Sequence, residues 1–235
     1  MFGTRAHKLG WTAKPNESED ERLLRPNLLS FVANTGEDKG LIESAKALAT
    51  AWLKDRTVVS SDVSGALLAS AARSGGAALY EQFLTAAKRE KDPRDKRTLI
   101  GGLAAFQDPV LVQRNLSYLL DGTFDPREAE ALMFAPMRES ATSRFPLAFV
   151  RSHVDELATK LPGDGPFSFL SVLPFVAEVG CSEDERAQTE AFFGPRVDKI
   201  TGAPRNLAKV LESIHLCAAR TRVQRAGIAE FLRQY

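Results

Sequence analysis

Residues 92–126, DPRDKRTLIGGLAAFQDPVLVQRNLSYLLDGTFDP, decide the fold. They contain three Asp-Pro pairs, Asp92-Pro93, Asp108-Pro109 and Asp125-Pro126, spaced 16 and 17 residues apart. Aspartate is a good N-cap acceptor, and a proline just inside a helix gives up only an N–H that has no partner in the first turn. Each pair therefore reads as a helix start. A helix of about three turns plus a short connection fills this spacing, and two such units fill the ~33 to 45 residues of a helical-repeat hairpin. Each segment also has one apolar face, with Leu99, Ile100, Leu103 and Phe106 after the first mark and Val112, Leu116, Leu119 and Leu120 after the second.

Upstream the same pattern continues. Leu23, Leu24, Leu28, Phe31 and Val32 form a stripe closed by Gly36, which Pro26 is expected to kink or split. Leu41, Ala45, Leu48, Ala49, Trp52 and Leu53 follow helical spacing closely. Asp62 is expected to cap a helix carrying Val63, Ala66 and Leu67 that ends at Gly75-Gly76, and Leu79, Tyr80, Phe83, Leu84 and Ala87 make its partner. Downstream, Met133 and Phe134 precede Pro136, and Phe149, Val150, Val154, Leu157 and Leu161 lead to a predicted turn, Pro-Gly-Asp-Gly-Pro, at residues 162–166. Ser182 and Glu185 form a capping box that starts a helix expected to end at Gly194-Pro195. Pro204 opens the stripe Leu207, Val210, Leu211, Ile214 and Ala218, and a last helix carrying Val223, Ile228, Phe231 and Leu232 closes the chain.

Strand signals are nearly absent, Val58-Val59 being too short to count. Amphipathic helices in series must stack to bury their faces. The expected fold is therefore all-α: a single helical-repeat domain over residues 1–235, an α-solenoid of antiparallel helix pairs, curved or bowl-shaped. The tetratricopeptide and ankyrin signatures are missing, so the repeat is degenerate and HEAT-like or armadillo-like.

Composition narrows the function. The chain has 235 residues with 44% hydrophobic content, enough for a sizeable core. Its 31 basic side chains nearly cancel 30 acidic ones, so no global field attracts nucleic acid or an anionic membrane. No stretch is long and apolar enough for a membrane span, and Met1-Phe2-Gly3-Thr4-Arg5 lacks the apolar core of a signal peptide; the expectation is a soluble chain. Cys181 and Cys217 are too few for a disulfide framework or a structural zinc site and read as buried thiols in a reducing compartment, which favours the cytoplasm.

Catalytic signals are weak. The histidines are His7, His153 and His215, and none has a second histidine four residues on. His153 and Glu156 share a helical face and offer two metal ligands, but a surface hydrogen bond is the simpler account. Arg205 beside Pro204 suits a carboxylate at a helix start, against a solvated arginine or an ion pair. Arg220, Arg222 and Arg225 suit substrate carboxylates, against a surface cluster at a helix C-terminus. Ser64-Gly65, Ser74-Gly75-Gly76 and Gly101-Gly102 do not follow strands and read as helix ends or close helix contacts rather than phosphate loops. No residue is assigned as catalytic, substrate-binding or metal-binding.

Several short motifs in order resemble a known family. Leu9-Gly10-Trp11, Pro15, Glu17 and Leu23-Leu24-Arg25 resemble the start of the helical carboxyl-terminal domain of aminopeptidase N type enzymes, the family that includes puromycin-sensitive aminopeptidase and the endoplasmic-reticulum aminopeptidases. Gly180-Cys181-Ser182-Glu183 running to Ala191-Phe192-Phe193, then Arg205, Leu207, Leu211-Glu212 and Ile214, and on through Ala218, Val223 and Ile228 to Leu232, are similar to its later segments. The resemblance spans about residues 9–232. The family's catalytic His-Glu-x-x-His and Gly-x-Met-Glu-Asn motifs are absent, the only methionines being Met1, Met133 and Met137. The resemblance therefore implies a non-catalytic domain that encloses the substrate chamber of a zinc aminopeptidase and packs on its catalytic domain. Zinc would lie in that other domain, and the partners would be it and peptide substrates. The truncated face implies weak self-association through the amino-terminal helices. A stand-alone helical scaffold that binds a protein or peptide is the alternative.

Overall fold

The computed structural model describes residues 2–161 and 168–234, so the turn predicted at 162–166 lies outside the described residues. Among the described residues there are twelve α-helices and no strand. They are α1 (Phe2–Leu9), α2 (Glu19–Ser30), α3 (Lys39–Trp52), α4 (Ser61–Arg73), α5 (Ala77–Arg89), α6 (Pro93–Ala104), α7 (Pro109–Ser117), α8 (Glu130–Phe134), α9 (Phe145–Lys160), α10 (Phe169–Val172), α11 (Glu183–Val197) and α12 (Ala203–Leu232). The chain divides into two compact units, Met1–Thr142 and Ser143–Tyr235.

In the first unit the helices pair as α1/α2, α3/α4, α5/α6 and α7/α8, and the even-numbered members touch in series from α2 through α4 and α6 to α8. That is the stacking of an α-solenoid, in which each hairpin buries its face on the next. Its core is Leu67, Leu68, Tyr80, Phe83, Leu99, Ile100 and Leu103, all fully buried. Gly102 is needed where α6 crosses its neighbours: a Cβ there would lie 2.9 Å from the Phe83 ring and 3.3 Å from Leu68 Cβ. Gly101 has open space beside it, so only one of the pair serves close packing.

The Asp-Pro marks hold for two helices of three. Asp92 accepts from the N–H groups of Arg94 and Asp95 at 3.0 Å, and Asp108 from Val110 at 2.8 Å and Leu111 at 3.3 Å. Asp125 accepts from Arg127 N–H at 2.8 Å, but only a turn follows, and α8 starts at Glu130 and soon gives way to a 3₁₀ turn, Ala135–Arg138, containing Pro136. The α4 cap is Ser60, not Asp62, which sits in the first turn. Pro26 does not split α2; the helix runs through it and widens afterwards into a π segment, Phe31–Thr35. Gly36 N–H closes that wide turn on Phe31 O at 3.1 Å, where a Cβ would lie 2.6 Å from Val32 O.

The second unit is less regular. α9 kinks at His153, whose φ and ψ are −128° and 16°. A 3₁₀ segment, Leu173–Ala177, packs with α9, α10, α11 and α12, and α11 packs along α12. α11 continues past Gly194-Pro195 to Val197, with Arg196 Nη1 donating to Phe192 O at 2.6 Å in the disturbed turn. α12 is one unbroken helix of 30 residues rather than two. Its first half buries Leu207, Val210, Ile214 and Ala218, whereas Val223, Ile228, Phe231 and Leu232 are exposed, so they are not the core the sequence pattern implies.

The cysteines also depart from expectation. Packing of α11 on α12 brings Cys181 and Cys217, 36 residues apart in sequence, to a Cα–Cα distance of 5.0 Å, where they form a disulfide. That separation falls in the range a disulfide needs, and nothing in the spacing of two isolated cysteines reveals it.

Candidate functional site

The motif residues at the start of the chain converge on a buried knot. Arg25 is fully buried and donates through Nη1 to Leu9 O at 2.7 Å and to Gly10 O, and its guanidinium pairs with the Glu17 carboxylate. Trp11 Nε1 donates to Leu41 O at 3.0 Å, tying the loop after α1 to α3. Burial pulls the Arg25 guanidinium below its ordinary value, and the carbonyls and Glu17 are what make a charge there tolerable. This knot is structural: it fixes the entry of α2 and is sealed from solvent. Beside it lies a capping box that sequence reading missed, Ser18-x-x-Glu21, whose spacing is its signal: Ser18 Oγ accepts from Glu21 N–H and Glu21 Oε2 from Ser18 N–H, each at 3.3 Å.

A polar groove of about 730 Å³ opens between the end of α3 and α5, lined by Lys54, Arg56, Glu81, Gln82, Arg89 and Glu90 among others. Arg56 is already committed: it pairs with Glu90 at 2.9 Å and Asp95 at 3.3 Å, and its guanidinium carbon lies 3.9 Å from the Trp52 ring centroid. The Arg56 hydrogen bond holds the Glu90 carboxyl below its usual range, helped by the Asp92 N–H. Lys54 and Arg89 are exposed at the groove. Its lining mixes basic and acidic side chains, Lys54, Arg56 and Arg89 with Glu81 and Glu90. Partners 34 and 39 residues apart leave no local pattern, which is why Arg56 was not found from the sequence.

Each histidine is matched to one carboxylate. His7 Nε2 lies 2.8 Å from Asp38 Oδ2, His215 Nδ1 lies 2.6 Å from Glu183 Oε1, and His153 Nδ1 lies 3.8 Å from Glu156 Oε2. Glu156 is shared with Lys160 at 2.7 Å, whose hydrogen bond lowers its pKa. The Asp38 pKa is lowered first by the Leu41 N–H it caps and then by His7. Among the described residues no three metal-capable side chains come together. Arg205 is exposed at the start of α12, and Arg220, Arg222 and Arg225 lie within the continuous helix, not at a break. Ser64-Gly65 lies inside α4, Ser74-Gly75-Gly76 forms the junction of α4 with α5, and Gly101-Gly102 lies inside α6.

At the other motif, Ser182 Oγ accepts from Glu185 N–H at 3.2 Å, while Glu185 Oε2 accepts from Cys181 N–H at 2.8 Å, one residue before the cap itself. That backbone bond, followed by Arg144 and Ser182, keeps the Glu185 carboxyl below its ordinary value. Phe193 is buried, and Phe192 stacks with Arg196, whose guanidinium carbon is 4.4 Å from the ring centroid. These residues too are architectural.

Comparison with known proteins places this architecture. The chain is 24% identical over 236 residues to the alanine/arginine aminopeptidase of Saccharomyces cerevisiae, covering 97% of this chain and 26% of that enzyme. It is 24% identical over 237 residues to aminopeptidase 2, mitochondrial, of the same yeast, covering 97% of this chain and 24% of the relative. It is 30% identical over 125 residues to aminopeptidase M1 of Arabidopsis thaliana, covering 51% of this chain and 14% of the relative. The chain thus spans about a quarter of the length of the yeast relatives. The ERAP1-like C-terminal domain matches residues 1–216, and the chain belongs to that family.

Proposed function

We propose that this chain is the non-catalytic C-terminal domain of a zinc-dependent aminopeptidase, whose parent enzyme removes N-terminal residues from peptides. In this reading the domain encloses the substrate chamber and packs on the catalytic domain. The observation that carries it is the family match over residues 1–216 in a chain that covers a quarter of its aminopeptidase relatives. A stacked helical array supplies the extended wall that lets an exopeptidase hold short peptides and keep folded proteins out.

The histidines support the division of labour. Each is engaged by a carboxylate at a separate place, and among the described residues no three metal-capable side chains come together, whereas a zinc centre needs three or four converging ligands. Zinc belongs to the catalytic domain. No described helix is long and apolar enough to cross a membrane. Against a cytoplasmic location stands the Cys181–Cys217 bond, because lasting disulfides are typical of oxidising compartments. Weak self-association of the isolated chain belongs to the same reading, with Phe2, Leu23 and Phe31 exposed on the amino-terminal helices; light scattering that gives a monomer at high concentration removes it.

The test is to assay the chain alone for zinc and for aminoacyl-anilide hydrolysis, then to mix it with a separately produced aminopeptidase catalytic portion, taken from the same gene if one is encoded there. No turnover alone and a change in rate on mixing that depends on peptide length are expected. Stoichiometric zinc with turnover by the chain alone overturns the reading.

A further inference from the structure

Beside the Arg25 knot a cleft of about 620 Å³ opens between α1 and the loop at residues 14–17, lined by Arg5, Lys8 and Lys14 together with Glu17 and Glu21. Arg5 and Lys8 stand three residues apart on α1 and so share one face of it. Lys14 is brought against them from the loop, its Nζ donating to Lys8 O. Asn16 in the same loop has φ 60°, the left-handed turn conformation that asparagine tolerates. The two carboxylates do not balance these cations. Glu17, its side chain 8% exposed, is taken by Arg25, and Glu21 faces Ser18, accepting from its N–H at 3.3 Å and its Oγ at 3.2 Å. Among the described residues none of the three cations forms an ion pair. With Arg25 cancelling Glu17, three cations face one carboxylate, a surplus of two positive charges. Like charges three apart on a helix destabilise it, and an anion seated beside them reverses that cost.

We propose that this cleft binds a small organic phosphate monoester. A phosphoryl group at neutral pH carries a charge of about −1.5 to −2 on three strong acceptor oxygens, which matches the surplus. Arg5 offers a planar fork for two of those oxygens, Lys8 and Lys14 offer point charges, and the Thr4 hydroxyl and Asn16 amide stand in the same lining. A carboxylate carries a single charge and leaves part of the surplus unmatched. The cleft is also larger than one phosphoryl group, and Leu9 and Pro15 supply an apolar wall, so an organic group has room and contact beside the anion. This binding is independent of the aminopeptidase reading.

Isothermal titration calorimetry of the 235-residue chain at low salt compares phenyl phosphate, inorganic phosphate and benzoate. Saturable one-to-one binding of phenyl phosphate is expected, about tenfold tighter than benzoate and about threefold tighter than inorganic phosphate. Arg5→Gln with Lys8→Gln should weaken it about tenfold or more. Arg94→Gln with Arg97→Gln removes the same charge from α6, two hairpins along the stack from α1/α2, and should leave the dissociation constant within about twofold. All four side chains are exposed, and circular dichroism checks that both variants fold; the comparison of the three ligands uses the native chain alone. No saturable binding, or equal loss in the two double variants, overturns the site. Benzoate binding as tightly as phenyl phosphate assigns the cleft to carboxylates, and inorganic phosphate binding as tightly assigns it to the free ion; either result overturns the monoester proposal.

Discussion

The two units of this chain solve the same burial problem by different means. Residues 2–142 stack hairpin on hairpin, and among the described residues all of the largest fully buried side chains, from Trp11, Trp52 and Phe83 to Leu103, belong to them. Residues 143–161 and 168–234 have a kinked α9, short helical pieces and one long helix, and there a disulfide joins Cys181, just before the α11 cap, to the middle of α12. Regular repeats supply their own core. A smaller and less regular assembly buries less, and a covalent link that limits the unfolded chain offsets the shortfall.

The contrast can be tested with a convenient pair of signals, since both tryptophans lie in the first unit and far-UV circular dichroism reads both. The largest effect is expected for Phe83→Ala, which empties the contact of α5 with Gly102 and should lower stability by about 3–5 kcal/mol, seen as an earlier urea transition in tryptophan fluorescence. Next comes reduction of Cys181–Cys217, or Cys217→Ser, expected to cost about 2–4 kcal/mol. It should move the dichroism transition while the fluorescence transition stays in place; a matching shift in both signals would show that the units unfold as one. Asp108→Ala removes two bonds to the first turn of α7 and should cost about 1 kcal/mol, visible in fluorescence and small beside Phe83→Ala.

The smallest effect separates the units by pH. Glu90 and Glu185 both have lowered pKa values, through Arg56 in the first unit and through the Cys181 N–H in the second. A carboxyl lowered by folding stabilises fully above its ordinary value of 4.5, and that contribution fades as pH falls through the lower folded value. Both units should therefore weaken below about pH 4.5. Glu185→Gln should flatten the acid limb of the second unit only, measured as the pH dependence of its dichroism midpoint; an unchanged limb would mean that Glu185 is not held in this way.

Much of the first unit was legible because its information is local. Asp92-Pro93 and Asp108-Pro109 specify helix starts by satisfying backbone groups within three residues, and the stripes of α3, α5 and α6 bury most of the residues they mark, Leu48, Leu53 and Leu79 being half-buried. Where local signals misled, distance along the chain was the reason. Val223 and Ile228 fit a helical stripe as well as Val210 does, and only the positions of α10, α11 and the Leu173–Ala177 segment decide that one half of α12 is covered and the other is not.

The sequence by itself determined an all-α chain of amphipathic helices, the absence of a linear zinc motif, and the order of short motifs that marks the family. Those properties depend on residue type and on spacing within a turn or two. Tertiary structure alone decided that Arg25 is a buried tie between Glu17 and the Leu9 and Gly10 carbonyls, that Arg56 is shared by Glu90, Asp95 and Trp52, that two solitary cysteines bond, and that α12 ends in an exposed arginine-rich arm. Each depends on groups brought together by packing of distant helices, and the period of a single helix carries no record of its neighbours.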